Sequence, residues 1–358
     1  MNAGYNPPRL ISWNITLRCP LKCAHCYVDA GNMDPDDILS TNEAKAVIDG
    51  IKETGDPVLI LSGGEPLLRE DIFDIVEYGN ECGLTMAIGT SGFLLDKKIA
   101  VKLKNCGLKA AAISIDSVNP EVHDEFRGVR GAWDKAVAAV GHCHDAGIRV
   151  KINMTVMQPE IEYIEDVIDM GTSMDVSDYH LFFPVHTGRG GKMGLQNPDD
   201  YESLIQKVLF RYRDGDISVR PTCAPQFRRI ADESGLKDKG WGRGCIAGIS
   251  YCRIFATGEV TPCPYLPVSA GSLRETSFKD IWEHSVLFNS LRDQSQLKGK
   301  CGQCGYKTVC GGCRARAYAR MQNPGAGWCD GLKMPDYDDT EILGEDPWCP
   351  YEPDGVIL

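Results

Sequence analysis

Residues 17–27 read LRCPLKCAHCY, which sets Cys19, Cys23 and Cys26 in the spacing C-x3-C-x2-C. Three thiols are one fewer than structural zinc sites and ordinary iron–sulfur clusters take, and one more than a disulfide uses. The run follows LISWNIT (10–16), a strand candidate, and Pro20 discourages a regular continuation, so the cysteines fall on a loop at the carboxyl end of a strand. Barrel enzymes carry their sites at that end. A [4Fe–4S] cube held by three thiolates would have one iron open; a zinc site completed by His25 is the alternative that the spacing allows.

Past this loop, short apolar runs alternate with amphipathic stretches. PVLILSG (57–63), LTMAIGT (84–90), KAAAISID (109–116), RVKINMTV (149–156) and YHLFFPV (179–185) bring the predicted strands to six. Helical spacing fills the intervals. After Ser40 a helix opens with Glu43 completing a capping box, and it closes at Gly55. Repeated strand–helix units imply a parallel sheet, and six of them close naturally as a barrel in an α/β chain. Residues 199–214 read as one more helix. From about 221 the chain turns rich in Cys, Gly and Pro, so the expected organisation is a barrel domain over 1–220 and a small cysteine-rich domain over 221–358. There, ISYCRIFATGEVTPC (249–263) predicts a hairpin turning at Thr257-Gly258, and FKDIWEHSVLFNSLRD (278–293) a helix. Little other apolar periodicity remains, so bound metal is the expected substitute for a core.

The chain has 358 residues, with 38 Lys plus Arg against 50 Asp plus Glu and a net charge of −12. That balance disfavours nucleic acid or an anionic membrane as partner. No apolar run approaches the roughly 20 residues of a membrane span, and MNAGYNPPRL lacks a signal-peptide layout, so a cytoplasmic, reducing setting is expected. Sixteen cysteines then point to metal or redox chemistry rather than disulfides. Cys82, Cys106, Cys143 and Cys223 occur singly and read as packing residues. Nine more lie from Cys245 to Cys349: Cys245, Cys252, Cys263, Cys301, Cys304, Cys310, Cys313, Cys329 and Cys349. Cys301-x2-Cys304-x5-Cys310-x2-Cys313 allows zinc knuckles, though the middle spacing is far below the roughly 15–20 residues of a zinc ribbon.

A second motif ends the second strand, where LSGGEPLL carries Ser62, Gly63, Gly64 and Glu65. Adjacent glycines let backbone approach a ligand, and a carboxylate beside them can meet a cation or an amino group; a tight turn is the other reading.

The two motifs together resemble the radical S-adenosylmethionine superfamily, in which the methionine part of S-adenosylmethionine chelates the open iron of a cluster held by C-x3-C-x2-C. Cys19, Cys23 and Cys26 match that motif, with His25 where an aromatic is usual and Tyr27 following. The resemblance implies a partial (β/α)6 TIM-like barrel, a 5′-deoxyadenosyl radical, and a low-potential electron donor such as ferredoxin or flavodoxin. It gives Ser62, Gly63, Gly64 and Glu65 the methionine amino group, and sets Thr90, Ser91, Gly92, Ser114, Asp116 and Asn153 along the nucleoside and carboxylate path. Cys245, Gly258 and Cys263, joined to CGQCGYKTVCGGC, resemble the SPASM extension, which implies one or two auxiliary [4Fe–4S] clusters. The partition expected is Cys245, Cys252, Cys263 and Cys313 for one, and Cys301, Cys304 and Cys310 with Cys329 or Cys349 for the other. Nine thiols exceed eight places.

ISWNITLRCPLKCAHCYVDAG, HDEFRGVRGAWDKAV, Gly188-Arg189-Gly190 and DPWCPYEP are similar to the tetrapyrrole-modifying enzymes of the alternative haem pathway. Tyr27-Val28-Asp29-Ala30 leans toward the member that removes acetate side chains from 12,18-didecarboxysiroheme to give iron-coproporphyrin III. A haem synthase acting on iron-coproporphyrin III, a haem d1 enzyme, a SPASM peptide maturase and a non-catalytic iron–sulfur carrier are the alternatives. A tetrapyrrole presents carboxylates, for which Arg127, Arg130 and Arg189 are the cations named by the sequence, with His186 as a ligand for the substrate iron.

Overall fold

Six parallel strands form as the apolar runs predict: β1 (Leu10–Asn14), β2 (Val58–Ser62), β3 (Thr85–Thr90), β4 (Ala110–Ser114), β5 (Arg149–Thr155) and β6 (Asp178–Phe182). This computed structural model describes residues 6–158, 160–192, 197–236, 240, 242–319 and 342–353. The connecting helices are α1 (Thr41–Thr54), α2 (Ile72–Glu81), α3 (Lys97–Asn105), α4 (Pro120–Arg127), α5 (Ala132–Asp145) and α6 (Ile161–Ser173). Ser40 caps α1 with the predicted Glu43 box, and Gly55 ends it. Alternation along each strand sends Ile11, Trp13, Leu59, Leu61, Met86, Ile88, Ile113, Ile152 and Leu181 outward under the helices, where they are essentially inaccessible. The opposite face lines the lumen of an open barrel. It carries Asn14, Ser62, Ser114, Asn153 and His180, with Asn14 level with Ser62 and Ser114 with Asn153, itself level with His180.

The sheet is larger than the six predicted strands. After α7 (Pro198–Arg211) a seventh strand, β7 (Ser218–Thr222), pairs in parallel with β6. Its Pro221 obscures it in the sequence, and such a residue is tolerated because β7 lies at the edge of the sheet. The expected domain boundary after residue 220 therefore runs through a strand. The predicted hairpin forms as β8 (Tyr251–Ile254) and β9 (Glu259–Thr261), turning at Gly258 with φ 105°. It does not stand apart: β8 pairs in parallel with β1, and β10 (Gly271–Ser272) follows β9, so among the described residues one ten-stranded sheet spans barrel and cysteine-rich segment. The remaining helices are α8 (Phe227–Glu233), α9 (Phe278–His284), α10 (Val286–Arg292), α11 (Gly299–Gln303) and α12 (Arg314–Ala319). The single helix expected over 278–293 is broken at Ser285, whose ψ of 127° is extended. Among the described residues no helix is long and apolar enough to cross a membrane.

Candidate active site

The loop after β1 is fastened by backbone. Within it, the amide of Cys19 donates to Gly31 O at 2.7 Å and that of Gly31 to Leu17 O at 3.1 Å. From the end of β2, Gly64 N donates to Thr16 O and Glu65 N to Arg18 O, each at 2.8 Å. A Cβ on Gly64 would come 2.3 Å from Arg18 O, and one on Gly63 2.3 Å from Thr16 O. The paired glycines thus admit the cysteine loop's own backbone, which is the close approach that the sequence assigned to a ligand. The end of α4 holds the loop from another side, with Lys22 N donating to Arg127 O and Ala24 N to Phe126 O. Gly188-Arg189 holds it from a third: Arg189 N donates to Cys26 O at 3.0 Å, its Nε to Cys23 O at 2.9 Å, and its Nη1 to Asp29 Oδ1 at 2.6 Å. Gly188 has φ 56°, and a Cβ there would meet Cys26 O at 2.5 Å.

Held this way, Cys19, Cys23 and Cys26 act on one another electrostatically. Burial first, and the neighbouring thiols among the lesser causes, push Cys19 up to about 12 and raise Cys23 as well. A bound metal overcomes such a penalty, since coordination deprotonates a thiol outright. The donor set fits an iron–sulfur cluster with one iron open to a further ligand. His25 is committed elsewhere, stacked on Phe126 with centroids 4.5 Å apart, and burial draws it down to about 3. Among the described residues no group of His, Cys, Asp and Glu side chains forms a single-ion site.

Glu65 is fully buried and accepts from Thr90 Oγ1 at 2.7 Å, Ser91 N at 2.9 Å and Ser91 Oγ at 2.5 Å. It knits the ends of β2 and β3 together, and burial raises its carboxyl against those hydrogen bonds. Asp116 is equally buried. Its carboxylate takes Arg127 Nε at 2.6 Å and Thr155 N at 2.9 Å, with His123 Nδ1 at 3.6 Å. Burial alone would raise Asp116, but the Arg127 guanidinium holds it below the usual range. Arg127, named by the sequence as a substrate cation, is instead this ion pair, and its Nη1 lies 3.9 Å from Cys23 Sγ. Arg189 likewise holds the loop through Nε and Nη1 while its Nη2 is buried without a protein partner, and Arg130 is exposed. Tyr27 Oη accepts from Asn14 Nδ2 at 3.0 Å, with its ring 5.3 Å from that of Tyr265. Ser114 and Asn153 stand side by side on the lumen face, and Asn153 Oδ1 is buried without a protein partner. His186 lies against Trp348, ring centroids 5.0 Å apart, with Nε2 also buried and unpartnered.

The later cysteines form two further groups, and the first differs from the expected one. Cys252 faces outward from β8 into the apolar core, where burial raises it against the opposing charge of Arg292. Alternation dictates this, because Tyr251 and Arg253 occupy the other face. Its place is taken by Cys223, at φ 60° just beyond β7: Cys313, Cys263 and Cys245 all raise it, after burial. Cys223 was read as packing, although its position at the carboxyl end of a strand is the signal that marked Cys19. The second group is Cys301, Cys304, Cys310 and Cys349, which line one cavity with Arg229, Lys300 and Lys307. Cys329 lies outside the described residues. Between the groups sits a buried pair, Arg316 and Asp346, joined by Nε to Oδ1 at 2.9 Å and Nη2 to Oδ2 at 2.8 Å. Asp346 Oδ2 accepts from Cys313 N at 2.8 Å, and Asp346 N points at Cys301 Sγ at 3.4 Å, so one residue touches both groups.

Comparison with known proteins accords with this layout. The family model described as the radical SAM superfamily matches residues 13–171, and that of an iron–sulfur cluster-binding domain, SPASM, matches 245–305. The chain is 39% identical over 364 residues to an AdoMet-dependent heme synthase of Methanosarcina barkeri (strain Fusaro / DSM 804), covering 99% of each. An Fe-coproporphyrin III synthase of the same organism is 30% identical, covering 90% of this chain and 86% of that one. In fold, the Streptococcus suis SuiB structure bound to S-adenosylmethionine superposes with a TM-score of 0.74 at 17% identity, over 97% of this chain and 78% of that one.

Proposed function

The chain belongs to the radical S-adenosylmethionine superfamily, as an enzyme of the haem-biosynthesis group with a SPASM extension, and from that premise we propose that it makes haem from iron-coproporphyrin III. The observation that carries this reading is the 39% identity, end to end, with a haem synthase, against 30% for the iron-coproporphyrin III synthase. The lean of Tyr27-Val28-Asp29-Ala30 toward acetate removal is outweighed by similarity along the whole chain.

When bound, the cluster and S-adenosylmethionine supply a 5′-deoxyadenosyl radical through reductive cleavage of the sulfonium C–S bond. Cys19, Cys23 and Cys26 hold the cluster. Ser62, Gly63, Gly64, Glu65, Tyr27, Thr90, Ser91, Ser114 and Asn153 shape the S-adenosylmethionine site around it, with Glu65 fixing Thr90 and Ser91 in place. Asp116 acts from behind, through Arg127 and the Thr155 amide at the end of β5. Cys223, Cys245, Cys263 and Cys313 form one auxiliary site, and Cys301, Cys304, Cys310 and Cys349 the other. Haem has vinyl groups where iron-coproporphyrin III has two of its propionates. Each conversion removes a hydrogen atom, carbon dioxide and one electron, so an acceptor is needed, and the auxiliary sites would provide it. A ferredoxin or flavodoxin would supply the low-potential electrons. The functional units are the barrel through β7 and the cysteine-rich segment after it.

The test is anaerobic incubation of the reconstituted protein with S-adenosylmethionine, dithionite and iron-coproporphyrin III, and separately with 12,18-didecarboxysiroheme. Haem from the first, by mass, supports the reading. Loss of acetate from the second and no product from the first would replace it with the deacetylase.

A further inference from the structure

DPWCPYEP (346–353) supplies Cys349 to the second auxiliary group, and its first residue, Asp346, touches both groups. The Asp346 carboxylate is fully buried and takes donors from four residues. Oδ1 accepts from Arg316 Nε at 2.9 Å and Trp348 N at 3.1 Å, and Oδ2 from Arg316 Nη2 at 2.8 Å, Cys313 N at 2.8 Å and Gln226 Nε2 at 3.0 Å. Its own amide donates to Cys301 Sγ at 3.4 Å. Arg316 extends the reach on the first side, where Nη1 donates to Cys223 O at 2.7 Å and to Tyr201 Oη at 3.1 Å. The pair thus meets Cys223 and Cys313 of one group and Cys301 of the other.

A buried ion pair is weak evidence of stabilisation, because desolvation offsets most of the attraction and apolar residues of similar volume often serve as well. Charges in this place can instead act on clusters, whose potentials follow net charge and the hydrogen bonds to their sulfurs. Burial comes first in raising Cys301, Cys310, Cys313 and Cys349, and the Asp346 carboxylate adds to it at all four, so its field spans both groups. Arg316 opposes that rise at Cys313 and at Cys223. Arg314 offers a contrast. Its Nη1 is fixed by Ile342 O at 3.0 Å and Gly344 O at 2.6 Å, and its Nη2 donates to Cys301 Sγ at 3.5 Å, a contact with the second group.

We propose that Arg316 and Asp346 are a positioning pair shared by the two auxiliary clusters, holding a ligating cysteine of each in place and setting both reduction potentials together. This rests on the reading of the two thiol groups as [4Fe–4S] sites. It deepens the acceptor role given to them above, because clusters tied to one residue are tuned as a unit for the electron that the substrate gives up.

The cluster-loaded protein is titrated anaerobically with dithionite and redox mediators, each auxiliary cluster being followed by electron paramagnetic resonance, and iron per chain is measured alongside. Asp346→Asn removes a negative charge and leaves the Arg316 cation uncompensated, which favours the reduced, more negative cluster. Both auxiliary potentials should rise, each by about tenfold in the reduction equilibrium, or about 59 mV for one electron. Asp346→Asn/Arg316→Met removes both charges and should return both clusters to within about threefold of the parent protein. Arg314→Met should lower the potential of the second cluster alone. The cluster on Cys19, Cys23 and Cys26 is the internal reference, and its response to S-adenosylmethionine should not change. A merely structural pair would cost iron or stability with the potentials unmoved. Asp346→Asn that keeps its iron and moves neither potential, or only one, overturns the proposal. Where Asp346→Asn sheds iron, both auxiliary clusters should go together with the reference kept, and loss of one alone overturns it. Where it does not fold, the double variant, which leaves no member of the pair charged, carries the test, and one cluster moving alone again overturns the proposal. A parent protein that binds fewer than two auxiliary clusters would bring down the assignment of the thiol groups, an outcome distinct from two clusters whose potentials ignore Asp346.

Discussion

Arg127→Met tests whether the ion pair behind Cys23 is structural. The guanidinium and the Asp116 carboxylate meet at 2.6 Å, with both side chains almost wholly buried. At an effective dielectric of about 20, that separation gives about 6 kcal/mol of attraction, most of it offset by desolvation of both charges. Removing only the guanidinium leaves Asp116 buried with the Thr155 amide as its remaining donor, which costs about 3–5 kcal/mol. Unfolding entropy of about 2.1 cal/mol/K per residue over 358 residues amounts to about 0.75 kcal/mol/K, so the midpoint should fall by about 4–7 °C. Asp116→Asn/Arg127→Met removes both charges, and it should recover about 2–3 kcal/mol relative to the summed single losses. The pH dependence has a definite sign. Asp116 is depressed in the folded chain, so its contribution is present above the unfolded value of about 3.9 and is lost as pH falls through the folded one. In Arg127→Met the largest opposing cause is gone and burial raises Asp116, so the deficit is full above that raised value and shrinks as pH falls through it toward the depressed value of the parent protein. The assay is thermal unfolding of the four cluster-loaded proteins, anaerobically, by circular dichroism. Single losses that add in the double variant, or a deficit independent of pH, would refute the pair as a unit.

Three further expectations concern the thiols and Glu65. Cys223→Ala should lower the iron content by about one cluster, while Cys252→Ala keeps all of it and loses only about 1 kcal/mol of packing; iron per chain decides, and the reverse result would reinstate Cys252. Alanine at any one of Cys19, Cys23 or Cys26 should abolish 5′-deoxyadenosine release and leave the auxiliary electron paramagnetic resonance signals in place. Glu65→Gln puts an amide donor against Thr90 and Ser91, so stability should drop by about 1–3 kcal/mol with weaker S-adenosylmethionine binding, read by unfolding and by equilibrium dialysis.

The parts legible in the sequence are those fixed by local chemistry. Short apolar runs gave β1 to β6, the Ser40–Glu43 box placed α1, and the position of the thiols just after LISWNIT put the cysteine loop at a strand's end. What escaped depends on contacts distant in sequence. Nothing near Tyr251–Ile254 says that β8 will pair with β1 some 240 residues earlier, and Pro221 argues against β7 for anyone unaware that it is an edge. The exchange of Cys223 for Cys252 has the same origin. Motif spacing favours Cys252 because it lies between Cys245 and Cys263, whereas strand alternation turns it outward and the end of β7 brings Cys223 in. The Asn119 cap and Gly128 at the end of α4 set Arg127 at a helix terminus rather than on an open substrate wall.

Gly63-Gly64-Glu65, the end of α4 and Gly188-Arg189 come from three separate segments, yet all three hold one loop. Ordering a residue's backbone costs about 1–2 kcal/mol, and loop amides lack the ladder that offsets this in a strand. Here the ladder is supplied from outside: Arg18 O accepts from Glu65, Lys22 N and Ala24 N donate to the end of α4, and the carbonyls of Cys23 and Cys26 accept from Arg189. The three thiols are thereby set in place by protein contacts alone, which leaves less ordering to be done when iron and sulfide bind. Sequence features that invite assignment as ligand contacts can thus act one step behind the ligand. The glycines make room for the loop's carbonyls, and the arginines meet its carbonyls and the Cys23 sulfur. Arg127 and Arg189 are thereby engaged in positioning the thiols, the one through Asp116 and the Cys23 sulfur and the other through the carbonyls of Cys23 and Ala30.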